Sequence, residues 1–303
     1  MPSDQGHGAA FGCSEIRPNS TNGKRCAPTA PVVARSRVTV RFSGFQSGAS
    51  RGVLAKFTES AERGRKLEAD TMQYHRASDA AEAVRHLVDA NGTGYVLAGG
   101  TDLLVQMKSR RVSPGVIVDI KQLPGVTEIE RDGGGFRVGA AVPGAALGED
   151  AAFVAEWPGV AEAAQLIGST QVQGRATMVG NLCNASPAAD SVPALIAGEA
   201  VAHIEGPNGA RQVPVDQIPT GPGTTSLELG EIVVALGFPP RPARSSDAYL
   251  RFIPRTEMDI AVASAGVSLT LDDAGVISSA RVALGAVAAT AYLDEAAGAS
   301  LLG

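Results

Sequence analysis

The first hydrophobic pattern with globular character lies between residues 78 and 92. Apolar side chains from Ala81 to Val88 are spaced three or four positions apart, as on the buried face of an amphipathic helix. Ser78 stands before them as the expected N-cap, and Asn91-Gly92 supplies a stop signal. The pattern therefore predicts a helix over this stretch.

A glycine-rich turn follows the next apolar run. Residues 95–98, Tyr-Val-Leu-Ala, predict a buried strand, and residues 103–108 predict a helix that begins directly after the turn. Farther along, strands are predicted over residues 116–120, 136–140, 201–204 and 231–238, and helices over residues 160–167 and 193–197. Strands therefore alternate with helices up to the Pro239-Pro240 pair.

The pattern changes after about Ser245. Residues 261–271 and 280–287 are long apolar runs joined by Asp272-Asp273-Ala274-Gly275, which is typical of a hairpin between two strands. A separate antiparallel C-terminal domain is predicted over residues 245–303. The chain as a whole is predicted to be an α+β protein.

Charge is divided unevenly along the chain. Residues 1–71 carry 11 Lys/Arg and 6 Asp/Glu, whereas residues 72–303 carry 15 Lys/Arg and 25 Asp/Glu. The basic segment is rich in Ser, Gly and Pro, so we interpret it as a disordered tail or as an extension from a start site assigned too early. In the second case Met72 begins the protein. The acidic body has no nucleic-acid-binding footprint.

Composition also limits the class of protein. No apolar run reaches the roughly 20 residues that a membrane-spanning helix needs. The three cysteines, Cys13, Cys26 and Cys183, have neither metal-ligand spacing nor an even disulfide framework, which predicts a reducing, cytoplasmic location. Since iron–sulfur ligation needs several closely spaced cysteines, we expect no cluster in this chain.

Two short glycine-bearing segments carry the candidate chemistry. The first is Leu97-Ala98-Gly99-Gly100-Thr101-Asp102-Leu103, and the second is Thr177-Met178-Val179-Gly180-Asn181, followed by residues 185–190. Glycine accepts positive φ and lets a ligand approach successive N–H groups, while Thr and Asn add side-chain donors. The first segment alone favours an ordinary tight turn. The pair predicts two backbone cradles for a diphosphate.

Further motifs follow in order along the chain. They are Ile167-Gly168-Ser169-Thr170-Gln171-Val172 and residues 184–190, 220–225, 230–232, 251–255 and 258–261. With these motifs, the chain from about Met72 to its C-terminus resembles the medium, flavin-carrying subunit of the molybdenum hydroxylases. That family includes carbon monoxide dehydrogenase, bacterial xanthine dehydrogenases and aldehyde oxidoreductases.

The resemblance implies a vanillyl-alcohol-oxidase-type fold that binds FAD. Two α/β subdomains over residues 72–240, with a boundary near residue 125, would hold an extended FAD ahead of the C-terminal domain. The implied contacts in the first motif are Val96, Leu97, Ala98, Gly99, Gly100, Thr101, Asp102 and Leu103, near the diphosphate and ribityl groups. Those in the second are Thr177, Met178, Val179, Gly180 and Asn181. Ile167 and Val233 match further contacts, Asp190 an acidic position near the ribose or adenine, and Arg251 a basic position near the flavin.

The function implied is electron transfer without an acid–base catalytic residue in this chain. An iron–sulfur small subunit would take electrons from a molybdopterin large subunit and pass them to the FAD, which reduces NAD, a quinone or another acceptor. Two alternatives stay open. One is a free-standing flavin oxidoreductase of the same fold, and the other is a truncated scaffold without catalytic function.

Several single residues have plainer explanations. Asp102 could cap the helix after its turn, and Asp190 could simply begin a helix. Cys183 is better explained as a small buried thiol than as a group facing the flavin.

Two positions depart from the family pattern. Val179 stands where the family carries glycine. If the position needs a positive φ, valine would weaken FAD binding. If φ is ordinary and the side chain points inward, valine would be harmless. The C-terminal domain is expected to be several tens of residues short at Gly303, which predicts poor solubility of the isolated chain.

Overall fold

Residues 72–256 and 258–303 are described by a computed structural model; the predicted basic tail lies outside them. The first elements of the described chain are β1 (Gln73–Arg76), α1 (Ala80–Asp89), β2 (Gly94–Leu97), α2 (Leu103–Lys108) and β3 (Val116–Asp119). The three strands form a sheet in the order β1-β3-β2, with both pairs parallel. Strand β2 lies at an edge of this sheet, and the first glycine motif follows its carboxyl end.

The N-cap residue of α1 differs from the predicted one. Asp79, and not Ser78, is the N-cap, and its carboxylate accepts a 2.8 Å hydrogen bond from the Glu82 N–H. Ser78 instead donates from its N–H and its hydroxyl to the Glu82 carboxylate, both at 2.8 Å. Asp79 and Glu82 therefore accept N–H groups on both sides of the helix start, in an arrangement similar to a capping box.

The second part contains a five-stranded antiparallel sheet. Its strands are β4 (Ile129–Asp132), β5 (Gly135–Gly139), β6 (Val201–Gly206), β7 (Gly209–Pro214) and β10 (Ile232–Phe238). They lie in the order β4-β5-β10-β6-β7. A small ribbon, β8 (Pro219–Gly221) and β9 (Thr224–Thr225), lies between β7 and β10 in the chain. The predicted boundary near residue 125 falls in the connection from the first sheet to the second.

Six helices occupy the chain between β5 and β6. They are α3 (Gly144–Glu149), α4 (Ala151–Glu156), α5 (Pro158–Gln165), α6 (Thr170–Gln173), α7 (Met178–Cys183) and α8 (Ser191–Ala197). Phe153 on α4 is fully buried and meets the rings of Phe136 and Phe238 edge-on, both at 5.2 Å. This aromatic cluster packs the helices onto the second sheet and fixes the chain that leads to α7.

The C-terminal part is an antiparallel meander of β11 (Ser245–Phe252), β12 (Ala263–Leu271), β13 (Ile277–Gly285) and β14 (Tyr292–Leu293), followed by α9 (Glu295–Ala299). The predicted hairpin at Asp272 is confirmed, since its carboxylate accepts from the N–H groups of Ala274 and Val276, both at 2.9 Å. Every residue of α8 is buried, and the helix packs on β12 and β13 of this sheet. A Cβ on Gly266 of β12 would be 2.5 Å from the Pro193 carbonyl oxygen, so only glycine allows this packing.

The strands and helices predicted from hydrophobic spacing are all present, with ends that differ by a few residues. The second glycine motif, for which hydrophobic spacing predicts no element, begins helix α7. Within residues 72–256 and 258–303, no helix combines the length and apolar character needed to cross a membrane.

Candidate functional site

A cavity of about 590 Å³ lies between the two glycine motifs. Its walls come from residues 95–112 beside the first sheet, residues 176–186 around α7, and residues 223–233 ahead of and within β10. The predicted contacts that line it are Val96, Ala98, Gly99, Gly100, Thr101, Asp102, Leu103, Ile167, Thr177, Val179, Gly180, Asn181 and Val233. The structure therefore brings both motifs to one space.

The first motif presents a row of backbone N–H groups. Within the described part of the chain, the N–H groups of residues 99–103 meet no hydrogen-bond acceptor. Gly100 has a φ of +77°, which glycine adopts without strain and which turns the chain from β2 into α2. Since backbone donors rarely stay unsatisfied, this row is suited to an anionic ligand.

Lys121 holds the first motif from behind. Its Nζ donates a 3.2 Å hydrogen bond to the Ala98 carbonyl and lies 2.8 Å from the Asp119 carboxylate. Tyr74 donates its hydroxyl to the same carboxylate. Burial opposes ionisation, but the hydrogen bonds from Lys121 and Tyr74 hold the pKa of Asp119 below its ordinary value. The end of β2 is thus tied to the end of β3.

Gly99 has a packing role that the sequence did not indicate. A Cβ there would lie 1.9 Å from the Arg175 carbonyl oxygen and 3.2 Å from the Ala176 Cα. The backbone just before the second motif therefore presses against the first motif. Glycine at this position lets two protein segments approach each other, in addition to any approach by a ligand.

The second motif is the first turn of α7. Thr177 is the N-cap, and its hydroxyl accepts a 2.9 Å hydrogen bond from the Gly180 N–H. The N–H groups of Met178 and Val179 meet no acceptor among the described residues, and Val179 borders the cavity. A short capped helix thus supplies the second set of donors.

Val179 does not strain this turn. It lies inside the helix, is absent from the positive-φ residues of the described chain, and is only 6% exposed. The β-branched side chain therefore costs no backbone strain, which answers the doubt raised by the missing glycine. Gly180, the next residue, is exposed and borders the cavity.

Gln106 and Asn184 connect the two walls of the cavity. The Gln106 side-chain amide on α2 donates a 2.8 Å hydrogen bond to the Asn184 side-chain oxygen, just past α7. On the same side, Asn181 accepts from the N–H of Ser191 at 3.1 Å and from its hydroxyl at 2.7 Å. The side-chain oxygen of Asn181 therefore anchors α8.

Four predicted contacts do not line the cavity. These are Leu97, Met178, Asp190 and Arg251. Met178 is only 4% exposed and belongs to the hydrophobic core. Arg251 instead borders a second, smaller cavity of about 420 Å³, together with Gly168 and Thr170.

Asp190 and Arg251 form a largely buried ion pair away from the cavity. The Arg251 Nη1 lies 3.0 Å from the Asp190 carboxylate, and the Tyr249 hydroxyl donates to that carboxylate at 3.2 Å. Two residues in contact cannot lie at opposite ends of an extended FAD, so the adenine-end role of Asp190 and the flavin-end role of Arg251 exclude each other. Burial, opposed by Arg251, raises the pKa of Asp190. Asp190 is also the N-cap of α8, but its side chain makes no capping hydrogen bond.

Charged groups at the cavity are few. Asp102 precedes α2 without capping it, and desolvation raises the pKa of its carboxyl. Glu231 lies 2.6 Å from Arg211, whose guanidinium lowers the pKa of the Glu231 carboxyl. Burial raises the pKa of the Cys183 thiol, which also borders the cavity, to about 12, so this thiol stays protonated.

Polar residues of the cavity wall that lie outside the predicted contacts include Gln106, Arg111 and Asn184. Gln106 and Asn184 are paired across 78 positions of the chain, a contact that spacing does not reveal. Arg111 carried a weak signal, since it belongs to the Arg110-Arg111 pair directly after α2.

Two protein-family models match the chain. Residues 70–241 match a family described as the FAD binding domain in molybdopterin dehydrogenase. Residues 248–303 match the CO dehydrogenase flavoprotein C-terminal domain.

Named relatives agree with these matches. The chain is 37% identical over 225 residues to a xanthine dehydrogenase FAD-binding subunit of Escherichia coli O157:H7, covering 73% of this chain and 76% of the relative. It is 34% identical to the carbon monoxide dehydrogenase medium chain of Hydrogenophaga pseudoflava, covering 76% and 80%. A solved CO dehydrogenase from Oligotropha carboxidovorans superposes with a TM-score of 0.73 at 31% identity, covering 77% of this chain and 81% of that one.

Proposed function

Because the chain belongs to the family of FAD-binding subunits of molybdopterin dehydrogenases, we propose that it holds FAD in the cavity between α2 and α7. It is an oxidoreductase flavoprotein subunit of the xanthine and carbon monoxide dehydrogenase type. The assignment of individual residues to the cofactor, the partner chains and the path of the electrons are the parts that we propose.

The row of backbone donors is the observation that carries this proposal. Residues 99–103 and Val179 border one cavity, and their N–H groups have no acceptors in the described chain. The N–H of Met178, next to Val179, also has no acceptor there. A diphosphate offers acceptor oxygens that such donors bind without many cationic side chains. The chemistry of the cavity therefore fits FAD, with Gly180 leaving room beside the second set of donors.

The residues of this chain bind and orient the cofactor, while bound FAD supplies the redox chemistry. We propose that the chain works in a complex with an iron–sulfur small subunit and a molybdopterin large subunit, and delivers electrons to NAD, a quinone or another acceptor. Relatives named as medium chains support an assembly of several subunits. The cysteine usage favours a cytoplasmic complex.

The test is to express the full chain with an iron–sulfur small subunit and a molybdopterin large subunit and to purify the complex. We expect stoichiometric FAD, whose visible absorbance bleaches when the complex receives its reducing substrate and returns when an acceptor is added. Colourless protein that takes up no FAD would refute the proposal. FAD that binds but stays oxidised during turnover of the complex would refute the electron path alone.

A further inference from the structure

We infer that Arg111 supplies the positive charge that binds the diphosphate of the flavin nucleotide. Neither glycine motif includes this residue, and the inference rests on the proposed function. It concerns affinity for the anionic part of the ligand, and not the redox chemistry.

The position of Arg111 is fixed at the cavity. Arg111 lines the cavity just past the end of α2. Its N–H donates a 2.9 Å hydrogen bond to the carbonyl of Gln106, and the side chain of Gln106 is held by Asn184 at 2.8 Å. The backbone that carries Arg111 is thus anchored to both walls of the cavity, so the guanidinium starts from a defined point at the rim.

Arg111 has no carboxylate partner in the described part of the chain. Three nearby basic residues do have carboxylate partners: Lys121 with Asp119 at 2.8 Å, Arg211 with Glu231 at 2.6 Å, and Arg251 with Asp190 at 3.0 Å. Among the described residues that border the cavity, Arg111 alone has a Lys or Arg side chain. Its charge is therefore available to a ligand.

A cation at the rim favours the binding of a dianion in this cavity. Asp102 and Glu231 both border it, and only Glu231 has an arginine beside it. The body around the cavity is acidic, with 15 Lys/Arg against 25 Asp/Glu in residues 72–303. A diphosphate that enters here meets repulsion from Asp102, which a guanidinium at the rim offsets through a charge-assisted hydrogen bond.

Arg110 provides a matched control. It is the neighbouring residue of the same type and is exposed, but it does not border the cavity. Exchange of its side chain removes one positive charge from the same surface. A difference between the two variants therefore reports the position of the charge and not the net charge.

The experiment is equilibrium dialysis of the full apo chain against FAD and against riboflavin, which lacks phosphate, at low and high salt. We expect Arg111→Gln to weaken FAD binding by about tenfold at low salt, as for loss of one hydrogen bond to a charged group. Arg111→Lys should keep most of the affinity, Arg110→Gln should match the wild type, and riboflavin binding should be the same in all four proteins. The deficit should shrink as salt rises.

An Arg111→Gln variant with wild-type FAD affinity overturns the inference, and so does an equal loss for FAD and riboflavin, which would mark a structural role. Thermal unfolding of the apo proteins checks that each variant is folded. Failure of the proposed function has a different signature: the wild-type chain itself takes up no FAD, and the inference about Arg111 falls with it.

Discussion

The carbonyl oxygen of Arg175 occupies the space in which a side chain on Gly99 would begin, since a Cβ at Gly99 would lie 1.9 Å from that oxygen. This contact joins the first motif to the segment that leads into α7. The two halves of the candidate site are therefore packed against each other through backbone atoms. No side chain can be inserted between them at Gly99.

Gly99→Ala should destabilise the fold. Backbone cannot move away as a flexible side chain can, so we expect the free energy of unfolding to fall by about 3 kcal/mol or more. Gly174→Ala is the control, because a Cβ there would meet only the Gln171 carbonyl oxygen at 3.8 Å. Urea denaturation of both variants gives the comparison. Equal stability of the two would show that the packing at Gly99 is not as tight as described.

Gly180→Leu should remove FAD and leave the fold intact. Gly180 is exposed and borders the cavity, and a Cβ there would meet only the Thr177 hydroxyl, at 3.0 Å. A leucine side chain would then take up space that we assign to the cofactor. Gly174→Leu, also exposed but away from the cavity, should keep its flavin. The flavin-to-protein absorbance ratio after purification decides the matter, and full flavin content in Gly180→Leu would contradict our placement of FAD.

The hydrogen bond between Gln106 and Asn184 should appear as a coupling energy. A double-mutant cycle with Gln106→Ala and Asn184→Ala isolates the pair from the other contacts of each residue. We expect a coupling of about 1 kcal/mol in the free energy of unfolding, as for a partly buried neutral hydrogen bond. A coupling of zero would mean that the two walls are not joined by this contact in solution.

Asp119 should make stability depend on acid pH. Its pKa is lowered in the fold, so its contribution is present above the unfolded pKa of about 4 and is lost as pH falls through the lower folded value. The stability difference between wild type and Asp119→Asn should accordingly shrink as the pH is taken from neutral to below that value. Denaturation at several pH values measures it, and a difference independent of pH would argue against the ionised pair with Lys121.

Arg251→Leu should leave a buried carboxylate without its cation. The side chains of Arg251 and Asp190 are only 6% and 13% exposed. Removal of one partner from a buried pair costs about 3–5 kcal/mol at neutral pH. The loss should be smaller at pH values near the ordinary pKa of Asp, because a raised folded pKa favours the protonated, folded form there. The double variant with Asp190→Asn should recover part of the stability, and no recovery would contradict the pairing.

The sequence predicts those helices and strands that depend mainly on residues close together in the chain. Helix α2 was predicted at its observed bounds, Leu103–Lys108, because a glycine turn precedes it and apolar residues begin it. Helix α7 was missed because Val179 and Gly180 are poor helix formers, and what stabilises it is the Thr177 cap together with burial of Met178 and Leu182.

The candidate site was also only partly predictable from the sequence. Both glycine motifs and the family resemblance were evident from the sequence, and the comparisons confirm FAD as the cofactor of the family. The contacts of Gly99 with Arg175, Gln106 with Asn184, and Asp190 with Arg251 join residues far apart in the chain. Spacing along the sequence carries no information on such pairs, because tertiary packing creates them.

The cavity draws its walls from the end of the first sheet and from the helices and strand of the second part. A molecule bound to both walls acts as an internal tie, so its binding energy adds to the cohesion of the protein. Each tenfold rise in the concentration of free ligand above the dissociation constant then adds about 1.4 kcal/mol to the free energy of unfolding. A ligand held by both walls would therefore lower the unfolded fraction of the chain as its free concentration rises.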